Sequence, residues 1–443
     1  MRVLVTTPST PTSLFLVRRL HQMGYRVTTI DSHVPSFASY SNAVSKRILA
    51  PSLRYEPHGF AKAVLDELKQ EQYDFYLPVL ECGFLMSYYR DVVRQYTKMV
   101  TVPFEAITHA HNKNAMLDYA RRANVRVPRT LAPDSLDSAH DMLTSLDSPI
   151  VIKPRVACNA HGQRIVLDPK RAIAEYDQVV KEYGLQDHLP IIQQYIKGTL
   201  ISTVNLAVEG EVKGNVVFRA LRTVPASGGT SSYRETVSAP EAELFDARLI
   251  EHFRWTGFIS FDYMEDAATG LLYLIDCNPR IAPGVILAYH AGVDLVAAFT
   301  EVIHGREIAR LPQQANGVRC KLQFLDLGWL LYNLIDKELT GQEKYQCFKT
   351  WIKREKSHSD IEDIRDMRPW FALYAYLLRN IRKLLGSDGG EIENRLAGRR
   401  VEHRDRVLRA VAPFAVDQEF DIFEHGPSFG TREEARLRAE PRR

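Results

Sequence analysis

Only five cysteines occur in 443 residues: Cys82, Cys158, Cys277, Cys320 and Cys347. They are odd in number, widely spaced and without CxxC or Cys/His clustering, which excludes a disulfide framework and a structural zinc site. Excess charge is also lacking. The 57 Lys and Arg nearly balance 54 Asp and Glu, and a net +3 over this length excludes the basic surface of a nucleic-acid binder. No run approaches the roughly 20 apolar residues of a membrane span, and the opening run from Met1 to Thr6 is too short for a secretory signal. A cytoplasmic protein acting on small molecules is therefore expected. Glycine is missing from the first turn, Thr6-Thr-Pro-Ser-Thr-Pro11, so no backbone there invites a pyrophosphate. Asp31, at the end of the second strand, could mimic a ribose-binding acid or be an ordinary loop residue.

What is present is the balance of a globular chain, 45% hydrophobic and 25% charged, long enough for two to four domains at about 100–200 residues each. Val3 to Thr6, the helical spacing from Leu14 to Gly24, and Arg26 to Asp31 give strand, helix, strand, the start of a parallel αβ layer. A helix over 60–71, a strand over 74–80 and a strand from Lys98 to Val102 complete that unit. His111-Asn-Lys113 opens a linker helix to about Ala123. From Pro149 the pattern shifts to period two, with strands at 150–153, 164–167, 191–196, 202–208 and 212–219 and a Glu209-Gly turn. Helices over 169–183 and 242–255 accompany this antiparallel sheet. After about 315 the chain turns helical again. Its aromatic stripe over 369–378, followed by Arg379 to Lys383, could lie on a membrane interface or pack on its own domain. The stretch from Gly386 is rich in Arg and Glu and reads as solvated.

Chemistry concentrates in the run from Gly257 to Arg280, two strands around a polar turn. Side chains alternate along a strand, so Asp276 and Asn278 share one face and Ile275 and Cys277 the other. Asp262 and Asp276 each lie seven residues from Thr269, so a symmetric hairpin sets them opposite each other. Like charges across a strand pair repel, and no cation lies nearby in sequence. The pair either stays hydrated or takes a divalent ion, and oxygen ligands from Asp262, Asp276 and Asn278 suit Mg²⁺. Arg280, just beyond, can hold a phosphate oxygen bidentately.

With Asp262 before the hairpin and Asp276-Cys-Asn278-Pro-Arg280 after it, the chain resembles the ATP-grasp superfamily of ligases. Asn112-Lys113 with the Val-Pro-Arg-Thr exit, Pro149-Ile-Val-Ile-Lys153-Pro, and Gln193-Gln-Tyr-Ile-Lys-Gly198 resemble further motifs of that family, in its order, over residues 1 to about 310. The resemblance implies mixed α/β and α+β architecture. An N-terminal Rossmann-like domain (1–108) is followed by a linker helix and small subdomain (109–190), a large subdomain with the metal site (191–315) and a helical extension (316–443). It implies ATP held by Lys113 and Lys153, with adenine on the backbone of Gln193, Gln194, Tyr195 and Ile196 and a lid carrying His161 and Gly162. It also implies Mg²⁺, expected as two ions and replaceable by Mn²⁺, on Asp262, Asp276 and Asn278. Arg280, Arg222 and Lys153 become the catalytic residues, with Arg222 and Arg219 on a strand running into a Gly/Ser loop that either suits an anionic substrate or acyl phosphate or is a mobile surface loop with structural ion pairs. Cys277 reads as a buried small hydrophobe.

The implied reaction joins a phosphorylated carboxylate, or equivalent oxygen, to an amine or amino acid, with loss of ADP and phosphate. Within the family the chain looks like stand-alone amino-acid ligases, a group that includes mycosporine-glycine-forming enzymes, and a homodimer is compatible with it. Three departures stand out. The loop Arg155 to Gly162 has one glycine, Leu200 sits where many members place a ribose-binding glutamate, and Asp276 replaces the usual glutamate. Two other classes stay open: a silent nucleotide-binding scaffold, and an NAD-dependent dehydrogenase suggested only by the first αβ unit.

Overall fold

The computed structural model describes residues 1–6, 10–32, 36–53, 56–146, 149–156, 162–224, 230–336, 339–353, 355–375 and 378. His161, the Gly228-Gly229 pair, Arg379 to Lys383 and the chain from Gly386 lie outside the described residues.

The chain begins with β1 (Arg2–Thr6), α1 (Pro11–Gln22), β2 (Arg26–Asp31), β3 (Val44–Leu49), α2 (Pro57–Gln70), β4 (Phe75–Leu77), α3 (Cys82–Tyr88) and α4 (Arg90–Val93). The four strands form a parallel sheet in the order β3-β2-β1-β4. Val3, Leu4 and Val5 are all buried, as a strand covered on both faces requires. The edge strand β3 instead exposes Lys46 and Arg47, which discourages further pairing. Thr10 caps α1 by accepting the Ser13 N–H at 3.1 Å, and Pro11 supplies the first helical residue. The expected strand over 98–102 is reduced to one bridge between Phe75 and Lys98, because β4 is only three residues long and offers no further ladder.

Next come α5 (Phe104–His111) and α6 (Lys113–Arg122), then β5 (Thr130–Leu131), α7 (Leu136–Thr144), β6 (Ile150–Lys153), β7 (Arg164–Val166), α8 (Ala172–Tyr183) and β8 (Ile191–Gln194). Their strands make an antiparallel sheet, β5-β8-β6-β7, packed on α7 and α8 through Ile152, Tyr176, Val179 and Ile192. The expected division after residue 190 therefore falls one strand early. Ile192 lies opposite Ile152 of β6 and Leu131 of β5, so β8 completes the small sheet.

The large sheet takes β9 (Gly198–Val208), β10 (Glu211–Val224), β11 (Thr230–Thr236), β12 (Gly257–Asp266), β13 (Leu272–Asn278), β14 (Arg319–Lys321) and β15 (His358–Ser359), in the order β13-β12-β9-β10-β11-β14-β15. One face packs on α9 (Pro240–Phe253) through Phe245, Leu249, Ile259 and Phe261. The other carries α10 (Gly284–His290), α11 (Leu295–Ile303) and the first domain, with Val204, Val216, Val285, Leu16 and Val17 in one cluster. The division expected at 315/316 is also corrected, since β14 and β15 extend this sheet and α12 (Gln323–Ile335) packs on β10 and β11. Beyond it lies α13 (Gly341–Ile352). The helical turns over 368–375 bury Leu373 against Leu14, Phe37 and Ile361, so this part of the aromatic stripe packs on its own chain. No single helix among the described residues is long and apolar enough to cross a membrane.

Arg222 ties α12 to the sheet. Its Nη1 donates to both carboxylate oxygens of Asp326 at 2.8 Å, its Nη2 to the Thr350 carbonyl at 3.2 Å, and its guanidinium lies 4.9 Å from each of the Tyr233 and Trp329 rings. Both charged groups are buried, so removing one partner strands the other. Asp326→Ala is expected to lose about 3–5 kcal/mol of stability in urea unfolding, and Arg222→Met/Asp326→Leu to regain most of it.

The far end of the sheet holds two imidazoles, His290 of α10 and His358 of β15, stacked 3.9 Å apart. Burial, then the charges of His358 and Arg234, lowers the His290 pKa from the ordinary 6.5 to about 4. Between those pH values the unfolded chain binds the extra proton, so this contribution is complete above pH 6.5 and disappears as pH falls toward 4. Thermal midpoints measured against pH should drop less steeply across that window in His290→Gln.

Candidate active site

Asp262 and Asp276 are direct cross-strand partners in the β12–β13 hairpin, and Ser260 faces Asn278 in the same register. The symmetry holds from Ser260 to Asp262, after which a bulge shifts the ladder by one residue. Cys277 points the other way, into the core beneath α9. Ser202 Oγ donates to Asp262 Oδ1 at 2.5 Å, and Asn278 Nδ2 to Asp262 Oδ2 at 3.2 Å.

Besides Arg280, just past the hairpin, the fold brings further cations to the acids. Asn112 caps α6 by accepting the Ala115 N–H, which sets Lys113 at the first helical position. From there the Lys113 Nζ donates to both oxygens of Asp276, at 3.0 and 3.2 Å. Lys153, at the end of β6, lies with its Nζ 3.4 Å from the Ile275 carbonyl. Both ammonium groups and both acids thus meet at one end of the hairpin.

This setting splits the two carboxylates. Burial and the Asp276 charge push the Asp262 pKa up to about 6, against the hydrogen bond from Ser202. Burial also pulls Asp276 upward, but the charges of Lys113 and Lys153 outweigh it and leave its pKa below the ordinary carboxylate value. Lys153 is lowered to about 8, chiefly by burial, with Asp276 opposing. His111 is driven down to about 3 by burial and by Lys113 and Arg280. An added divalent ion would relieve the burden on Asp262 that a proton otherwise carries. The donors fit a hard ion: two carboxylates and an amide, incomplete without phosphate or water oxygens. Among the described residues no set of three or more His, Cys, Asp or Glu gathers to form a closed metal site.

Arg280 forms an ion pair with Glu81, which follows β4 in the first domain, and both side chains are buried. Glu81 escaped sequence reasoning. The usable signal was its place just past the carboxyl end of a parallel strand, where αβ sheets collect ligands. Arg222, expected to hold an anion, is corrected: its charge is committed to Asp326, because α12 supplies a buried acid invisible from the strand alone. Arg219 faces away from it and pairs with Glu235 at 2.7 Å.

Of the expected adenine hinge, Gln194 and Tyr195 already spend their N–H groups on the Arg129 and Pro149 carbonyls. Gln193 is buried, with its Nε2 donating to Thr130 Oγ1 at 3.0 Å. Gly162 has φ +66°, and a Cβ there would lie 2.6 Å from Pro154 Cγ, so the return from the loop requires glycine. Gly198 also cannot be enlarged, since a Cβ would fall 1.8 Å from the Glu265 carbonyl oxygen. Asp31 is buried and accepts the Ser32 N–H.

Lys153, the 193–196 segment, Leu200, Asp262, Asp276, Asn278 and Arg280 line one cavity of about 650 Å³. The first domain contributes Thr10 to Thr12, Leu80 and Glu81 to its wall, and α12 contributes Leu325 and Trp329. Asp31 does not line it.

Residues 110–284 match the family model described as ATP-grasp domain. That span runs from the end of α5 through the hairpin to the start of α10. The chain carries an ATP-grasp domain. At 24% identity over 232 residues it is similar to the carbamoyl phosphate synthase large chain of Bifidobacterium longum (strain DJO10A), covering 48% of this chain and 20% of that one. It thus spans about a fifth of the length of the curated relatives it matches. Among solved structures, biotin carboxylase from Campylobacter jejuni superposes with a TM-score of 0.60 at 14% identity, over 72% of this chain and 74% of that one. An L-amino acid ligase from Bacillus licheniformis gives 0.53 at 16%, over 68% and 74%. These likenesses establish the ATP-grasp fold.

Within the ATP-grasp domain, Lys153 is the ammonium group on the small sheet that faces the acid hairpin. Lys153→Met is expected to weaken ADP binding by about tenfold or more, the loss of one charge-assisted hydrogen bond, read by calorimetry. Because burial holds Lys153 at about 8, wild-type affinity should fall as pH rises through 8, and the variant should lack that dependence.

Proposed function

We propose that the protein is an ATP-dependent, ADP-forming carbon–nitrogen ligase that activates a small-molecule carboxylate and joins it to an amino acid or amine. The observation that carries this reading is the meeting of Lys153 and Arg280 with Asp262, Asp276 and Asn278 on one cavity of about 650 Å³, a size that suits small-molecule ligands, with Lys113 bonded to Asp276. Asp262, Asp276 and Asn278 would hold Mg²⁺, as one ion or two, and Mn²⁺ offers the same hard-ion chemistry; the ion supplies charge neutralisation for the phosphates.

Lys153 orients the phosphate chain and Lys113 keeps Asp276 ionised. Arg280, steadied by Glu81, lies where a transferred phosphoryl group needs a cation. An oxygen of the substrate carboxylate attacks the γ-phosphorus and ADP leaves. The amine nitrogen then attacks the activated carbonyl carbon, phosphate leaves, and the amine gives up a proton. Buried thiols at Cys82, Cys277 and Cys320 suit a reducing, cytoplasmic setting. The Gly257-Phe-Ile-Ser-Phe-Asp262 and Cys277-Asn-Pro-Arg280 segments support placement near small-molecule amino-acid ligases such as the mycosporine-glycine-forming group, with a homodimer as the compatible assembly.

Leu200, on the cavity wall in place of a ribose-binding acid, and the single glycine in the sequence from Arg155 to Gly162 are the features favouring a silent nucleotide-binding scaffold. ADP and phosphate release over a panel of acid and amine pairs separates the two. Turnover with at least one pair supports the ligase; nucleotide binding without release for any pair supports the scaffold. Asp276→Asn is expected to cut turnover by about 100-fold or more while the thermal midpoint stays close to wild type, and unchanged turnover would overturn the metal assignment.

A further inference from the structure

We propose that the first domain completes the cavity as a receptor for a free, zwitterionic amino acid, with Glu81 taking the ammonium group and Thr12 and Arg234 taking the carboxylate. This rests on the ligase reading and names the chemical class of its second substrate.

Three residues on the cavity wall each keep a buried side-chain atom with no hydrogen-bond partner among the described residues: Thr12 Oγ1, Glu81 Oε2 and Arg234 Nε. Thr12 is 1% exposed, Glu81 5% and Arg234 2%. Leaving a buried polar atom without a partner is unfavourable, so three on one wall form a set that a ligand would satisfy. Their chemistry is complementary to an amino acid. Glu81 Oε2 accepts, while Oε1 holds Arg280. Arg234 spends Nη1 and Nη2 on Asp360, with 2.9 Å bonds to its two oxygens, and Nη2 also on the Pro283 carbonyl at 3.3 Å, while its Nε–H has no acceptor among the described residues. Thr12 adds a hydroxyl in the first turn of α1, a 12-residue helix whose N-terminal end favours negative charge.

Net charge narrows the class further. The three arginines on this part of the wall are each matched by a buried acid: Arg222 by Asp326, Arg234 by Asp360 and Arg280 by Glu81. With the charges balanced in pairs, the wall gains little from a net anion or from a bare amine. A net-neutral dipolar molecule leaves that balance unchanged and presents an ammonium and a carboxylate to separate partners.

The test is calorimetry on the full chain saturated with ADP and Mg²⁺, titrated with each standard amino acid and with the N-acetyl and carboxamide derivatives of the tightest binder. At least one free amino acid should bind, and each derivative should bind about tenfold or more weakly, since each removes one charged contact. Glu81→Gln should reduce affinity for the free amino acid by about the same factor while barely changing that for its N-acetyl derivative, and Thr12→Val should do likewise for the free acid against the carboxamide. The derivative series uses unaltered protein, so it decides the matter even if a variant does not fold. Failure of every amino acid to bind, or derivatives binding as tightly as the parent, would overturn the proposal. ADP release with an amine that is not an amino acid, alongside either result, would leave the ligase reading standing alone. Amino-acid binding without ADP release from any pair would do the reverse.

Discussion

Two carboxylates facing each other across a strand pair repel, and in a buried hairpin that repulsion must be answered from elsewhere in the molecule. Here Lys113 answers it for Asp276, while Ser202 and Asn278 give hydrogen bonds to Asp262. The compensation is unequal, which leaves Asp276 charged and Asp262 with a pKa of about 6. An incompletely neutralised acid pair is what a substrate-bound divalent ion needs; complete pairing would leave it nothing to do.

That compensation depends on several parts of the chain at once. Lys113 starts the helix after the first domain, Lys153 ends a strand of the small sheet, and the acids belong to the large sheet. The first domain and α12 then wall the cavity, α12 being held down through Arg222 and Asp326. Each buried guanidinium around the cavity has its own acid. That part of the wall is consequently charge-balanced, while the ammonium groups of Lys113 and Lys153 lie at the hairpin end.

Much of this was legible in the chain itself. Period-two patterning placed β6, β7 and β12, and the seven-residue symmetry about Thr269 put Asp262 opposite Asp276, because strand geometry converts spacing directly into facing. The shorter edges were less legible. β14 and β15 are three and two residues long and owe their strand character to the sheet they join, and the 98–102 segment lost its ladder to a β4 too short to pair with it.

Local pattern alone determined the opening strand, helix and strand, the acid hairpin, the anchoring of Lys153 at a strand end and the burial of Cys277, since each follows from the periodicity of neighbouring residues. Tertiary structure alone decided which charges meet. Lys113 reaches Asp276 across 163 positions, Arg280 reaches Glu81 across 199, and Arg222 is claimed by Asp326 across 104. Coulomb attraction and desolvation act through space, and nothing in the spacing of an isolated arginine says whether a buried acid or a substrate will face it.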